Sequence, residues 1–279
     1  MARPGIGDKR RQFHALHTRG CFLIPNPWDL GSARWLQGMG FPALASTSSG
    51  FAWSVAQADN HITRDQALQH LAELVDATDV PVNADFENGF GDSPAAVADS
   101  VRLAVDTGVA GLSIEDATGD AAAPLFSLDD AVARVRAARR AIDAAGGDTL
   151  LVGRAEGLLV GRPDLAEIVA RLQAYAHAGA DCLYAPGLRT AEQIRTVVDA
   201  VAPKPVNLLV GWASELTLDG IAELGVRRVS VGGALARSAW GGFLRAAREL
   251  QQGRFTAFAD AAPGGELNAF FMQGREQTP

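Results

Sequence analysis

The sequence predicts a closed (β/α)8 barrel, an α/β fold of the TIM type, with an extra C-terminal helical segment. Three observations predict it. Short apolar runs that read as buried strands alternate eight times with segments of helical apolar spacing, joined by short connections. The chain has 279 residues, near the length (about 250) at which such a barrel forms one domain. No G-x-G-x-x-G or Walker A lysine follows the first strand, as an open doubly wound sheet would require, and there is no internal repeat. Residues 1–279 are therefore read as one barrel domain, with an extension over about 253–279.

The elements follow in order. Residues 8–19 read as a short helix with Phe13 and Leu16 on one side, and 21–26 (CFLIPN) as a strand stopped by Pro25 and Pro27. A helix over 28–39 carries Leu30, Ala33 and Leu36 at helical spacing. A second strand at 42–46 leads into TSSGFAWS, read as a small-residue loop. Thr63 with Gln66 starts the next helix as a capping box, and strand three ends in the acidic stretch VPVNADFENGFG. Ser93 and Pro94 open a helix as N-cap and first residue; strand four is GLSI, and Ser127 with Asp130 caps the helix that follows. Strands at 149–156, 181–187, 204–210 and 227–233 continue the rhythm, with helices at 163–177, 190–201, 214–224 and from strand eight to about 251. The tail includes ELNAFF, a further helix whose apolar residues suit packing on a subunit surface, so a homo-oligomer is expected.

Composition excludes several classes of function. Hydrophobic residues make up 48% and charged residues 20%, as in a folded protein with a large core. A net charge of -7 gives no basic footprint for nucleic acid, and no apolar run is long enough to span a membrane. The basic amino terminus has no apolar segment behind it, and the two cysteines, Cys21 and Cys182, lie far apart in strand contexts. Those features fit the cytoplasm and give no disulfide or zinc pattern.

Active sites in such barrels gather at the carboxyl ends of the strands. Those ends supply Thr47 to Phe51, Asp85 and Glu87, Glu115 and Asp116, Arg154 and Glu156, Tyr184, Asn207, and Gly232 and Gly233. Converging carboxylates are hard oxygen ligands suited to Mg²⁺ or Mn²⁺, and one arginine can clamp a carboxylate or phosphate. This inventory fits an anionic substrate chelated to a divalent cation, with an enolate stabilised by fixed charge. Asp116 is expected to be structural, and Glu87 either to substitute for a missing ligand or to be solvated. The only lysines, Lys9 and Lys204, lie away from the mouth, which excludes a Schiff-base aldolase. Among the histidines, His61 is the one placed to face the site.

The motifs STSSGF, Asp59 in ADNHITR, PVNADFENGFG, GVAGLSIEDA, VGRAEGLLVG, AGADCLYAPG and PVNLLVG occur in an order and spacing that resemble the isocitrate lyase/phosphoenolpyruvate mutase superfamily over roughly residues 10–250. The resemblance implies a Mg²⁺-dependent barrel handling 2-oxo and 2-hydroxy acids through enolates, in tetramers or dimers that exchange a late helix. It implies Asp85 as the metal ligand, with Asp59 and Glu115 acting through water or at one remove. It implies Ser49, Gly50 and Phe51 as the loop that holds the substrate carboxylate and carbonyl oxygen, Arg154 as the substrate-carboxylate arginine, and Asn207 as the polar group on strand seven; Thr47 and Tyr184, read from the strand ends, join them as candidate substrate-binding and catalytic residues. Two departures stand out. Asn83 replaces the first aspartate of the family's D-x-D, and the lid ATGDAAAPLFSLDD lacks both the K-K-C-G-H loop of the lyases and the lysine and asparagine of the mutase. The expected activity is a carbon–carbon lyase or decarboxylase acting on a small 2-oxo or 2-hydroxy (di)carboxylic acid. The alternatives are phosphorus–carbon bond chemistry or a protein that binds a 2-oxo acid without turning it over.

Overall fold

The computed structural model describes residues 3–273. Eight parallel strands run β1 (Phe22–Ile24), β2 (Leu44–Ala45), β3 (Val82–Asp85), β4 (Gly111–Glu115), β5 (Leu150–Arg154), β6 (Cys182–Tyr184), β7 (Val206–Leu209) and β8 (Arg228–Ser230). They pair in the order β1-β8-β7-β6-β5-β4-β3-β2, every pair parallel. The remaining seam is bridged where the Ala45 N–H donates to the Pro25 carbonyl at 3.1 Å. The protein is a (β/α)8 barrel.

Helices α1 (Ile6–Leu16), α2 (Leu30–Gly38), α3 (Ser48–Ser54), α4 (Arg64–Ala77), α5 (Pro94–Asp106), α6 (Leu128–Ala144), α7 (Leu165–His177), α8 (Ala191–Val201) and α9 (Leu218–Glu223) belong to the same compact unit as the strands. Their starts follow local chemistry. Thr63 and Gln66 form a reciprocal capping box, as do Thr190 and Gln193. Ser93 accepts from the Ala96 N–H ahead of Pro94, and Ser127 accepts from Asp130. The expected loop TSSGFAWS is instead α3. Thr47 caps it by accepting from the Gly50 N–H, and the small and polar residues of its two turns disguise it as loop.

A second unit runs from Leu235 onward. It comprises most of α10 (Ala234–Gln251), a 3-10 turn at Thr256–Asp260, and α11 (Gly264–Gln273). Glu249 ties the turn to α10 by accepting from the Thr256 hydroxyl and the Ala257 N–H. Trp240, Phe243, Phe255, Phe258 and Met272 are exposed. The last residues of the expected tail, 274–279, lie outside the described residues. No helix among the described residues is long and apolar enough to cross a membrane.

The two ends of the barrel differ. At the amino ends of the strands α1 acts as a plug. Phe13, fully buried, packs with Phe22, Ile24, Ala43, Ala45, Ala110 and Leu150. Lys9 donates to the carbonyls of Val75 and Thr78 at the end of α4; Arg10 donates to those of Val105 and Val109 at the end of α5 and pairs with Asp148. Cations placed on orphan carbonyls at helix ends stabilise both partners. Above this plug, from Arg228 at the start of β8 up to the carboxyl ends, the barrel interior is polar. Asn83, Ser113, Asn207, Arg228 and Ser230 line a cavity of about 190 Å³ where the branched apolar residues usual in such barrels would otherwise sit.

Candidate active site

Strand ends β3, β4 and β5 place Asp85, Glu115 and Arg154 side by side, because Glu115 pairs in register with Arg154 and Asp85 with Ser113. The Arg154 guanidinium is the pivot. Its Nη1 donates to Asp85 Oδ1 at 3.0 Å and lies 3.1 Å from Glu115 Oε2, while its Nε donates to Glu156 Oε1. It also sits over the Tyr184 ring at 5.2 Å. Asp85 is held from the other side, where Ser48 donates both its backbone N–H and its hydroxyl to Oδ2 at 3.0 Å. Asp85 therefore bridges the start of α3 to Arg154.

Glu87 is buried, not solvated. The turn that carries it is tight: Glu87 has φ +46°, Gly89 φ +86°, and a side chain at Gly91 would meet the Val97 backbone nitrogen at 2.6 Å. Its Oε1 has no hydrogen-bond partner, and burial, followed by the charges of Asp85 and Asp59, pushes its carboxyl up to about 8. Burial also raises Glu115 and Glu156 against the pull of Arg154, and raises Asp59, to which Asp85 adds repulsion. Five carboxyl groups (Asp59, Asp85, Glu87, Glu115 and Glu156) thus share one arginine. A site with this surplus of negative charge either keeps protons or takes a cation. The donors are all hard oxygens, Glu87 lines the same outer cleft as Asp59 and Glu115, and its buried Oε1 is without a partner, so a Mg²⁺ or Mn²⁺ ion fits the set. Among the described residues no three acids, histidines or cysteines are already close enough to hold a metal directly. Asp85 with waters to its neighbours is the arrangement the geometry allows.

Glu87 yields a pH prediction. A folded value of about 8 above the ordinary 4.5 means that its contribution is fully present below about pH 4.5 and is lost as the pH rises toward 8. The metal-free protein should lose stability across that window, by on the order of 3 kcal/mol from this group. Glu87→Gln should flatten the profile, as read from melting temperature against pH.

The other expected residues divide. Thr47, Ser49, Asp59, Tyr184 and Asn207 line the cavity together with Arg154. Burial pushes the Tyr184 phenol up to about 12, so it stays a neutral donor beside Ser230. Asn207 donates to Ser230 Oγ at 3.0 Å and accepts from Arg228 Nε at 2.8 Å. Gly50 and Phe51 face elsewhere: the Gly50 N–H is committed to the Thr47 hydroxyl, and Phe51 stacks on His70 at 3.9 Å. His61 is exposed, its ring on the Asp59 carbonyl, and lines neither cavity. Asn83 does not face Asp85; its Oδ1 accepts from Arg228 inside the barrel. Asp116 is structural as expected, accepting from Tyr175, Arg171 and the Glu156 N–H. Sequence reasoning missed Arg228 and the burial of Glu87 and Glu156.

Comparisons with known proteins agree with this architecture. The model of the phosphoenolpyruvate phosphomutase family matches residues 13–251. A crystal structure from Burkholderia cenocepacia, provisionally described as a lyase/mutase, is 51% identical, with a TM-score of 0.93 over 96% of this chain and 97% of that one. Oxaloacetate decarboxylase of Paraburkholderia xenovorans is 33% identical over 80% of this chain and 74% of its own. The structure of 2,3-dimethylmalate lyase, a member of the phosphoenolpyruvate mutase/isocitrate lyase superfamily, is 26% identical, with a TM-score of 0.84 over 99% of this chain and 97% of that one. Barrel, motif order and matched span agree, and the chain belongs to the phosphoenolpyruvate phosphomutase family, within the isocitrate lyase/phosphoenolpyruvate mutase superfamily.

Proposed function

We propose that the protein is a Mg²⁺- or Mn²⁺-dependent carbon–carbon lyase that decarboxylates a small 2-oxo dicarboxylic acid at the carboxyl ends of the strands. The observation that carries this reading is the surplus of four buried or half-buried carboxyl groups over the single Arg154, beside a polar cavity of about 190 Å³. The substrate named for the decarboxylase relative supports the choice of acid. Asp85 would hold the cation, with Asp59, Glu87 and Glu115 reaching it through water. Bound there, the ion supplies Lewis-acid stabilisation of negative charge on the 2-oxo oxygen.

The chain's own residues supply the rest. The hydroxyls of Thr47 and Ser49 offer hydrogen bonds to a substrate carboxylate, and Arg154 is the cation that draws it toward the mouth. Arg154 and Ser48 fix Asp85 in one orientation before substrate arrives. In the step itself the bond from C3 to its carboxylate breaks, its electron pair becomes the second C2–C3 bond, and the C2=O π pair moves onto the oxygen to give the enolate. Carbon dioxide leaves, and C3 then takes up a proton. We assign that transfer to the Tyr184 phenol, which lines the cavity and carries its proton at working pH; it would be re-protonated from water after the carbonyl re-forms. A lid without lysine, cysteine or histidine suits a reaction that asks for no acid–base help from it; the loop from Ala117 to Leu125 is closed by its own bridge. The same reading places the enzyme in the cytoplasm as a homo-oligomer, supported by two free thiols and the exposed apolar side chains of the C-terminal unit.

The test is turnover of oxaloacetate to pyruvate and carbon dioxide with Mg²⁺ or Mn²⁺ and with chelator. Metal-dependent release of both products is expected. Turnover of phosphonopyruvate alone would move the protein to phosphorus–carbon chemistry, and tight retention of a 2-oxo acid without turnover would make it a binding protein.

A further inference from the structure

Arg228 at the start of β8 is 2% exposed, yet among the described residues no carboxylate pairs with it: its hydrogen-bond partners are side chains of other kinds. Its Nε donates to Asn207 Oδ1 at 2.8 Å, and its Nη1 donates to Asn83 Oδ1 at 3.2 Å and lies 3.5 Å from His17 Nε2. Each of these partners is neutral. Burial and Arg228 itself push His17 down to about 3, so its ring accepts without bearing charge. The other titratable groups acting on Arg228 are Cys182 and Tyr184, both held protonated by burial. A guanidinium keeps its proton in any protein environment, so the barrel holds a full positive charge in its interior, spanning from β8 to β3, with no carboxylate among the described residues in contact with it. Buried charges are normally paired, because desolvation otherwise goes uncompensated. Arg154, with three carboxyl partners, shows the opposite excess, and both arginines line the same cavity.

We propose that Arg228 is a second anion anchor, receiving the distal carboxylate of the substrate when its 2-oxo end sits by Asp85 and Arg154. This rests on the dicarboxylate reading above and adds to it the residue that selects two carboxylates over one. The interior polar groups agree with it. Asn83 and Asn207 turn their oxygens toward the guanidinium and so hold it in place, while Ser113 and Ser230 widen the floor that an apolar barrel would fill. A monocarboxylate occupying the mouth would leave Arg228 as unmatched as it is in the free protein. A dicarboxylate completes it.

Two variants remove the unmatched charge by opposite routes. Arg228→Gln deletes it, and Asn83→Asp supplies an internal counter-ion at nearly constant shape. Both should raise KM for oxaloacetate at least tenfold and leave the inhibition constant of pyruvate within twofold of wild type. Asn83→Asp should also raise the melting temperature of the ligand-free protein. Loss of wild-type turnover on every 2-oxo acid would defeat the parent reading, independently of Arg228. Wild-type turnover of oxaloacetate with an unchanged ratio of KM to pyruvate inhibition in both variants would overturn the anchor. If Arg228→Gln does not fold, Asn83→Asp decides alone. A chloride-dependent rise in wild-type melting temperature that both variants abolish, with KM unmoved, would assign the charge to a free halide and also overturn it.

Discussion

Asp85→Ala should lower kcat for the 2-oxo acid by about a thousandfold or more while leaving the metal-free fold nearly as stable as before. Loss of a metal that stabilises transition-state charge by several kcal/mol accounts for the first effect, at tenfold per 1.36 kcal/mol. The second follows from two opposing changes. The Ser48 N–H and hydroxyl lose their acceptor, at about 1 kcal/mol, and Arg154 keeps Glu115 and Glu156 as partners, while Glu87 and Asp59 lose the charge that repels them most. Steady-state kinetics with Mg²⁺ and a melt in chelator measure both. A variant that retained metal-dependent turnover would remove Asp85 from the metal site. The metal-plus-ligand rise in melting temperature should vanish with the activity, since only a bound cation couples the two.

Arg154→Met should be the most destabilising single change in the mouth. It leaves Asp85, Glu115 and Glu156 with no cation between them, and breaking a buried ion pair from one side costs about 3–5 kcal/mol. The loss should depend on pH. Without Arg154 the folded values of Glu115 and Glu156 rise further above their unfolded ones, so their stabilising contribution is complete below about pH 4.5 and fades as pH rises. Denaturant midpoints of wild type and variant should therefore converge in acid and separate toward pH 8. Mg²⁺ should recover part of the gap, because the cation neutralises the same carboxyl groups. A gap that stayed constant with pH would mean that methionine's packing, not the missing charge, sets the cost.

The parts of this molecule that were legible in the sequence are those decided by neighbours along the chain. Ser93 before Pro94, and Thr63 three residues before Gln66, mark helix starts because capping is a contact across one turn. Asp85, Glu115 and Arg154 could be grouped in advance because a parallel barrel brings the ends of consecutive strands together whatever their loops do. What escaped depended on contacts the chain makes elsewhere. Glu87 and Glu156 look like ordinary loop acids, and only the packing of the mouth buries them. Arg228 follows Arg227 at a strand entrance, where two basic residues read as solvated; alternation turns Arg227 to the Gly20 carbonyl and Arg228 into the barrel. The helix α3 was read as a loop for the reverse reason: its residues are small, and Thr47 at its head is its one local signal.

The plug formed by α1 has a consequence for how this protein can change. Lys9, Arg10 and Phe13 lock the ends of α4 and α5 and the strand entrances from below, at the end of the barrel opposite Asp85 and Arg154. Anchoring and the proposed chemistry thus lie at separate ends of one cylinder. Substitutions around the mouth act on a frame whose lower rim is already fastened, so new specificities can be tried there one residue at a time. The same number of changes within α1 would loosen several elements together. A gene library aimed at altered substrates should leave α1 untouched and spend its diversity on the strand ends and the lid.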